Sequence, residues 1–285
     1  MNKTILVPTD FSKGAEHALT YATALAKREK GDVLLLHAFH ITYPTSETLV
    51  ARVVEEISRD EEEAVQKLER IVSELKRTEK INCGFICKQG LAVDVILEVI
   101  KEKKPQLVII GTKGAGWIKE MIIGSNTAKV IEYAKCPVIA VPENAEYNGI
   151  NKITYAADYH TSDVTALRKI VEIARPFKAE ITVIHVSDNE FTAATDEELL
   201  KKFRNLAANK INYDKVKFKL EHGKYLEKAL QEHIKKEKPD VLAMSTHYRG
   251  ILDKMFGTSV TKKMAYHCQI PLLAFHHKHE SVVFI

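Results

Sequence analysis

The chain has 285 residues, of which 45% are hydrophobic and 28% are charged, values that are typical of globular proteins and exclude a disordered or collagen-like chain. The net charge is only +4, and no apolar run approaches the roughly 18–20 residues that span a bilayer. We therefore expect neither a nucleic-acid-binding protein nor a membrane protein. Four scattered cysteines and the lack of a signal-peptide pattern favour a reduced, cytoplasmic protein.

In the first half of the chain, short β-branched apolar runs alternate with amphipathic stretches. The runs predict strands near residues 3–8, 32–39, 81–88, 106–111 and 137–142. Apolar residues at helical spacing predict helices over 15–25, 55–80, 91–103 and 125–134. Because a helix lies between each strand and the next, the pattern predicts a parallel sheet that is covered on both faces.

The second half of the chain repeats the first. Asp158 follows Asp10 by 148 residues in the same strand-end context, and Pro239 follows Pro105 by 134. The second copy is therefore about 15 residues shorter between its second and third strands. Its strands are predicted near residues 152–157, 180–186, 215–221, 240–245 and 271–276. We expect two domains, residues 1–145 and 149–285, joined by a short polar linker.

A glycine-rich loop follows the fourth predicted strand, where a doubly wound sheet places its ligand crevice. It contains Gly111, Gly114 and Gly124 and leads into a helix that begins with Ser125, Asn126 and Thr127. Glycines let backbone N–H groups approach an anion closely, and the first N–H groups of a helix have no intrahelical partner. Together with the hydroxyl donors of Ser125 and Thr127, they favour the binding of a phosphate group. The loop is not a P-loop, because Trp117 stands where that motif needs lysine. It is not a dinucleotide fingerprint either, because that motif follows the first strand.

The spacing Gly111-x2-Gly114-x9-Gly124-Ser125 resembles the nucleotide loop of ATP-binding universal stress proteins. The strand ends Val7-Pro8-Thr9-Asp10 and Leu36-His37-Ala38, and the last strand from Cys136 to Pro142, resemble that family too. The resemblance covers essentially the whole chain as a tandem pair.

The resemblance implies ATP as the ligand, with Mg²⁺ as an optional companion ion. Adenine and ribose would lie near Pro8, Thr9, Asp10 and Ala38. Ribose and phosphates would follow Gly111, Gly114, Gly124, Ser125, Asn126 and Thr127. No catalytic or metal-ligating residue is assigned.

The resemblance also implies two tandem doubly wound α/β domains (Rossmann-like, adenine nucleotide alpha hydrolase-like) with five-stranded, mainly parallel sheets. They would form an intrachain pseudodimer through their last strands, Pro137–Val141 and Pro271–Phe275, with a homodimer as a further option. Both strands are apolar and uncharged over these five residues, which makes an unpaired edge an aggregation hazard.

The second copy departs from the loop pattern. Ser245 and Tyr248 replace the first two glycines, and the loop is one residue shorter, although Gly257-Thr258 remains. A tyrosine side chain would fill the phosphate path, so we expect a degenerate site there and a single competent site in the first copy.

Some notable residues have simpler interpretations. Asp10 can be a turn or N-cap residue, and this does not conflict with a ribose contact. His37 and His185 recur on apolar strands and are interpreted as hydrogen-bonded core histidines. Cys136 is interpreted as a small buried residue. The run from His276 to His279 is interpreted as a solvated tail rather than a metal site.

These features predict an ATP-binding regulatory protein of the stress-response type, acting through nucleotide-dependent conformation rather than catalysis. The alternatives are a nucleotide-independent scaffold, a small-ligand-binding pseudodimer or a weak ATPase. An adenylyl transferase or ATP pyrophosphatase is disfavoured, because neither a Ser-Gly-Gly-x-Asp-Ser loop nor a His-x-Gly-His signature occurs. Any hydrolysis is expected to be slow and incidental.

Overall fold

The computed structural model describes residues 3–40, 47–112, 124–159, 161–187, 193–223, 225–246 and 270–276. These residues divide into two compact units, whose boundary lies between Glu143 and Asn144. We call them the first half and the second half and describe each by itself.

The first half is a five-stranded parallel sheet with crossover helices. Its elements are β1 (Thr4–Pro8), α1 (Lys13–Glu29), β2 (Asp32–Phe39), α2 (Glu47–Thr78), β3 (Asn82–Gln89), α3 (Ala92–Lys103), β4 (Leu107–Gly111), α4 (Ser125–Tyr133) and β5 (Val138–Val141). The strand order is β3-β2-β1-β4-β5, and every neighbouring pair is parallel. This is the doubly wound arrangement that the alternating pattern predicted.

The second half repeats this topology. Its elements are β6 (Lys152–Ala156), α5 (Thr161–Ala174), β7 (Glu180–Ser187), α6 (Ala193–Lys210), β8 (Val216–His222), α7 (Leu226–Glu237), β9 (Val241–Thr246) and β10 (Leu272–His276). A short 3₁₀ turn, Arg175–Phe177, follows α5. The strands are parallel in the order β10-β9-β6-β7-β8, with β6 in the position of β1.

The core of each half lies between the central strands and the apolar stripes of the helices. Leu6 and Val108 on β1 and β4 are fully buried, and α1 contributes Ala18, Ala22 and Leu25 from one face. Their spacing of four and three residues is the helical period that predicted this helix. Nearly continuous burial of β1 and β4 is expected for central strands of a sheet that is covered on both faces.

The difference in length between the copies lies in one crossover helix. Helix α2 has 32 residues and α6 has 18. The helix predicted at 55–80 in fact begins at Glu47, eight residues earlier. Among the side chains of α2 that the structure describes, from residue 59 onward, Ala64, Leu68 and Val72 are buried, and they belong to the apolar stripe that predicted the helix.

The apolar residues of the two last strands are buried, including Ile139 on β5 and Leu273 on β10. The pairing of these strands with each other stays a prediction.

Three helices end on a lysine in the left-handed conformation. Lys30, Lys104 and Lys238 close α1, α3 and α7 with φ between 47° and 54°, and each donates its N–H to the carbonyl oxygen four residues earlier. The left-handed conformation costs an L-residue about 1–2 kcal/mol, and glycine is the residue that adopts it without this cost.

We expect Lys238→Gly to raise the free energy of unfolding by about 0.5–1 kcal/mol, because the gain in the folded state exceeds the extra entropy that glycine loses. Urea unfolding followed by circular dichroism measures this change. The matched control is Lys235→Gly, an exposed position inside the last turn of α7, which should lower the free energy of unfolding by about 1 kcal/mol. A loss of stability in both variants would contradict the prediction.

Candidate functional site

The predicted site residues gather at one edge of the first sheet. In the sheet, β1 lies between β2 and β4, so the strand order changes direction next to β1. A doubly wound fold has its ligand crevice at this point, beyond the carboxyl ends of β1 and β4. Pro8 ends β1 and Gly111 ends β4, while Ala38 lies near the end of β2. Thr9 and Asp10 follow β1, and Gly124 leads into α4 with Ser125, Asn126 and Thr127. Gly114 lies outside the described residues.

The start of α4 has the features of an anion site. Gly124 is its N-cap residue and supplies no side-chain hydrogen bond to the first turn, in which Ser125 and Asn126 are exposed. The N–H groups of this turn and the helix dipole therefore favour a negative group at this position.

Gly124 does not need a positive φ, because its φ is −65° and its ψ is 154°. The restriction on this residue is steric. A Cβ atom would lie 3.1 Å from the carbonyl oxygen of Thr112, which accepts a 2.6 Å hydrogen bond from the N–H of Gly124. A side chain here would press on the end of β4.

Gly111 permits a close approach of α1. A Cβ atom on Gly111 would lie 2.6 Å from the carbonyl carbon of Gly14 and 2.7 Å from its oxygen, so any side chain would displace the start of α1. The sequence suggested only a phosphate path for this glycine. The structure adds packing of the helix as a second reason for its presence.

Thr127 ties α4 to β4. Its side chain is buried, and its hydroxyl donates to the carbonyl oxygen of Gly111 over 2.8 Å. In this conformation the hydroxyl hydrogen of Thr127 is committed to the backbone, which leaves Ser125 and Asn126 as the exposed polar groups of the turn.

Thr112 is a polar residue of this region that the sequence reasoning missed. It is 3% exposed, and no described residue forms a hydrogen bond with its Oγ1 atom. A buried hydroxyl without a partner costs about 1–3 kcal/mol, so this atom fits a polar ligand at the end of β4. Its position directly after Gly111 was the only signal in the sequence.

The β1–α1 loop is held by its own side chains. Asp10 accepts the N–H of Ser12 at Oδ1 over 3.1 Å, and Ser12 caps α1 by accepting the N–H of Ala15 over 3.3 Å. The N-cap role considered for Asp10 therefore belongs to Ser12, whereas Asp10 forms the preceding turn.

Each half contains a histidine that contacts the loop after its first strand. Nδ1 of His37 lies 2.8 Å from the carbonyl oxygen of Thr9, and Nδ1 of His185 lies 2.9 Å from that of Ala157. The prediction of hydrogen-bonded histidines is confirmed. Both are half-buried at the strand ends rather than in the core, and Cys136 is likewise half-buried rather than buried.

The second half contains a buried polar cluster at the place that corresponds to the site. We call Tyr155, Asp163 and Ser245 the Asp163 cluster. Oδ1 of Asp163 accepts the hydroxyls of Tyr155 and Ser245 over 2.6 and 2.8 Å, and Oδ2 accepts the N–H of Asp158 over 3.1 Å. The three side chains are at most 2% exposed. Burial and the nearby carboxylate of Asp163 raise the pKa of Tyr155 well above its usual value, so its hydroxyl keeps its proton.

The first half has apolar residues at the corresponding positions. Val7, Ala15 and Gly111 stand where Tyr155, Asp163 and Ser245 stand in the second copy. Side-chain hydrogen bonds in the described part of the second half thus stand where α1 packs closely on Gly111 in the first half. Tyr248, Gly257 and Thr258, which also entered the prediction of a degenerate site, lie outside the described residues.

Within the described part of the chain, no group of three or more His, Cys, Asp or Glu side chains could hold a metal ion. The run from His276 to His279 lies at the limit of this part, and only the backbone of His276 is described. None of the helices in the described ranges is long and apolar enough to cross a membrane.

These observations define a tandem pair of doubly wound α/β domains. The second half has the Asp163 cluster at the positions where the first half has Val7, Ala15 and Gly111. The model of the universal stress protein family matches residues 1–142 and 149–276. The chain therefore belongs to the universal stress protein family.

Single-domain and tandem relatives both occur. The universal stress protein Sll1654 of Synechocystis sp. is 31% identical over 142 residues, which is 50% of this chain and 87% of that protein. A universal stress protein of Mycolicibacterium smegmatis is 20% identical over 286 residues and matches 94% of this chain and 95% of its own length. The crystal structure of a universal stress protein from Archaeoglobus fulgidus superposes with a TM-score of 0.71 at 17% identity, covering 96% of this chain and 98% of that one, and so shares the fold.

Proposed function

We propose that the protein binds one ATP per chain in its first half and acts in the stress response through nucleotide-dependent conformation. In this proposal the domains are residues 1–145 and 149–285, and the protein works in the cytoplasm. Mg²⁺, where present, arrives on the phosphates of the nucleotide.

One observation carries the proposal. The first turn of α4 has no side-chain cap, and its N-cap residue Gly124 bonds to the backbone of Thr112, whose buried hydroxyl has no hydrogen-bond partner among the described residues. An uncapped helix N-terminus favours an anion, and a buried hydroxyl favours a hydrogen-bonding ligand, so a phosphate chain would satisfy both.

The other residues of the proposed site are those that the family resemblance assigns. Adenine and ribose would lie against Pro8, Thr9, Asp10 and Ala38, and ribose and phosphates along Gly111, Gly114, Gly124, Ser125, Asn126 and Thr127. Pro8 is buried and Ala38 is a small half-buried residue, which suits the apolar ring of a base. Ser125 and Asn126 offer exposed polar side chains to the phosphates, while Thr127 holds their helix in place.

We assign the bound nucleotide a regulatory role. Fast phosphoryl transfer requires a positioned base and tightly held metal ions, and the sequence carries neither of the two nucleotide-cleaving motifs found on related folds. Hydrolysis of the bound ATP would therefore be slow and incidental.

Calorimetric titration of the full chain with Mg·ATP is expected to give one site per chain. The Asp163 cluster is the reason to expect no second site, because it fills the place of Gly111 in the second half. Mass spectrometry of gently purified protein should detect bound adenine nucleotide at or below one equivalent. Two equivalent sites would contradict the asymmetry between the halves, and the absence of any binding would leave a nucleotide-independent scaffold as the function.

A further inference from the structure

The geometry points to His37 as a positioning residue for the ATP site. It holds the β1–α1 loop, which carries Thr9 and Asp10, in the shape that the ligand requires. This inference rests on the proposed function, and it concerns a residue to which that proposal gives no contact with the nucleotide.

His37 fixes the backbone of Thr9. A carbonyl oxygen can only accept a hydrogen bond, so the 2.8 Å contact between Nδ1 of His37 and the carbonyl oxygen of Thr9 places a proton on Nδ1. The N–H of Thr9 donates to the carbonyl oxygen of Leu36, directly before His37. The two neighbouring residues at the end of β2 therefore bond both backbone polar groups of Thr9.

The imidazole also supports a strained residue. Phe11 has a φ of 63°, in the left-handed region, which is strained for a bulky side chain. Its ring lies against the imidazole of His37 with 4.6 Å between the ring centroids, and its N–H donates to Oγ1 of Thr9 over 3.1 Å. Such strain persists only where surrounding contacts impose it, and His37 contacts both ends of the segment from Thr9 to Phe11.

The second half repeats this arrangement at a place without the glycine pattern. Nδ1 of His185 contacts the carbonyl oxygen of Ala157, Tyr159 has a φ of 61°, and its ring centroid lies 4.8 Å from that of His185. The same strained loop thus forms in both halves, each time in contact with the corresponding histidine. His185 provides a matched control, because it makes equivalent contacts where we propose no nucleotide.

The test measures Mg·ATP affinity of the full chain by calorimetry for the wild type, His37→Ala, His37→Asn and His185→Ala. We expect the loop of His37→Ala to adopt the conformation that binds ATP for only about a tenth of the time. The apparent dissociation constant should then rise about tenfold. Asparagine can replace the Nδ1–H donor with its amide, so His37→Asn should stay within about threefold of the wild type. His185→Ala should lower the melting temperature about as much as His37→Ala and leave the affinity unchanged.

Amide hydrogen exchange of the nucleotide-free protein provides a second measurement. The N–H groups of Phe11 and Ser12 donate within the loop, and both should exchange faster in His37→Ala. An unchanged affinity in His37→Ala, or equal losses in His37→Ala and His185→Ala, would overturn the inference while ATP binding stands. If the wild type binds no ATP, the proposed function fails, and unchanged exchange at Phe11 and Ser12 would then overturn the positioning role as well.

Discussion

Asp163→Ala is expected to lower the free energy of unfolding by about 3 kcal/mol. The substitution leaves the hydroxyls of Tyr155 and Ser245 and the N–H of Asp158 without the carboxylate that accepts their hydrogen bonds, and each unsatisfied buried donor costs about 1–3 kcal/mol. The hydroxyls of Tyr155 and Ser245 lie 3.2 Å apart and can recover only one bond between them. Urea unfolding monitored by circular dichroism measures the loss.

A matched control separates the loss of stability that this cluster causes from the loss of a favourable interaction between an acidic residue and the helix dipole. Asp94 also lies in the first turn of a helix, but it is exposed, so Asp94→Ala should cost less than about 1 kcal/mol. The triple variant Tyr155→Phe/Asp163→Ala/Ser245→Ala removes the two side-chain donors together with their acceptor. It should lose less stability than the sum of the three single variants. Additive losses would show that the three side chains do not act as a unit.

Gly124→Val is expected to weaken Mg·ATP binding about 100-fold, or roughly 2.7 kcal/mol, while the protein still folds. The backbone of Gly124 has dihedral angles that valine adopts without strain, so the free energy of unfolding should fall by only about 1 kcal/mol. The branched side chain would press on the carbonyl oxygen of Thr112 and cover the first N–H groups of α4, where we place the phosphates. Calorimetry measures the affinity, and urea unfolding measures the stability.

The smaller variant Gly124→Ala should lie between Gly124→Val and the wild type. Gly257→Val alters the corresponding position of the second copy and should leave the ATP affinity within about twofold of the wild type. Wild-type affinity in Gly124→Val, or equal losses from Gly124→Val and Gly257→Val, would remove α4 from the nucleotide site.

Much of the fold could be predicted because its signals are local. The predicted strand near residues 32–39 corresponds to β2 at Asp32–Phe39, and Leu91–Lys103 differs from α3 by one residue at its start. The start of α2 was misplaced, because the prediction took its apolar stripe from Ile57 onward and did not use Leu49, Val50 and Val53, which extend the helical spacing toward Glu47. The left-handed lysines at three helix ends were also missed, since the preferred residue there is glycine.

The site was predictable only in outline. The fourth strand and the glycines after it located Gly111 and Gly124 at the crevice, because the carboxyl ends of parallel strands share one edge of the sheet. The roles assigned to these glycines were incomplete. No pattern in the sequence indicated that a side chain on Gly111 would meet Gly14, or that one on Gly124 would meet Thr112.

The sequence by itself therefore determined the repeat, the order of strands and helices, and the position of the glycine loop, since periodicity, turn residues and spacing lie within short stretches of chain. The sequence also showed that the second copy departs from the glycine pattern, but only the tertiary structure revealed the hydrogen-bonded cluster at that place. Tyr155, Asp163 and Ser245 come from β6, α5 and β9, and Ser245 lies 82 residues from the carboxylate it contacts. Hydrogen bonds over such a separation depend on the parallel crossover topology that brings these elements together, and no local pattern of residue types encodes them.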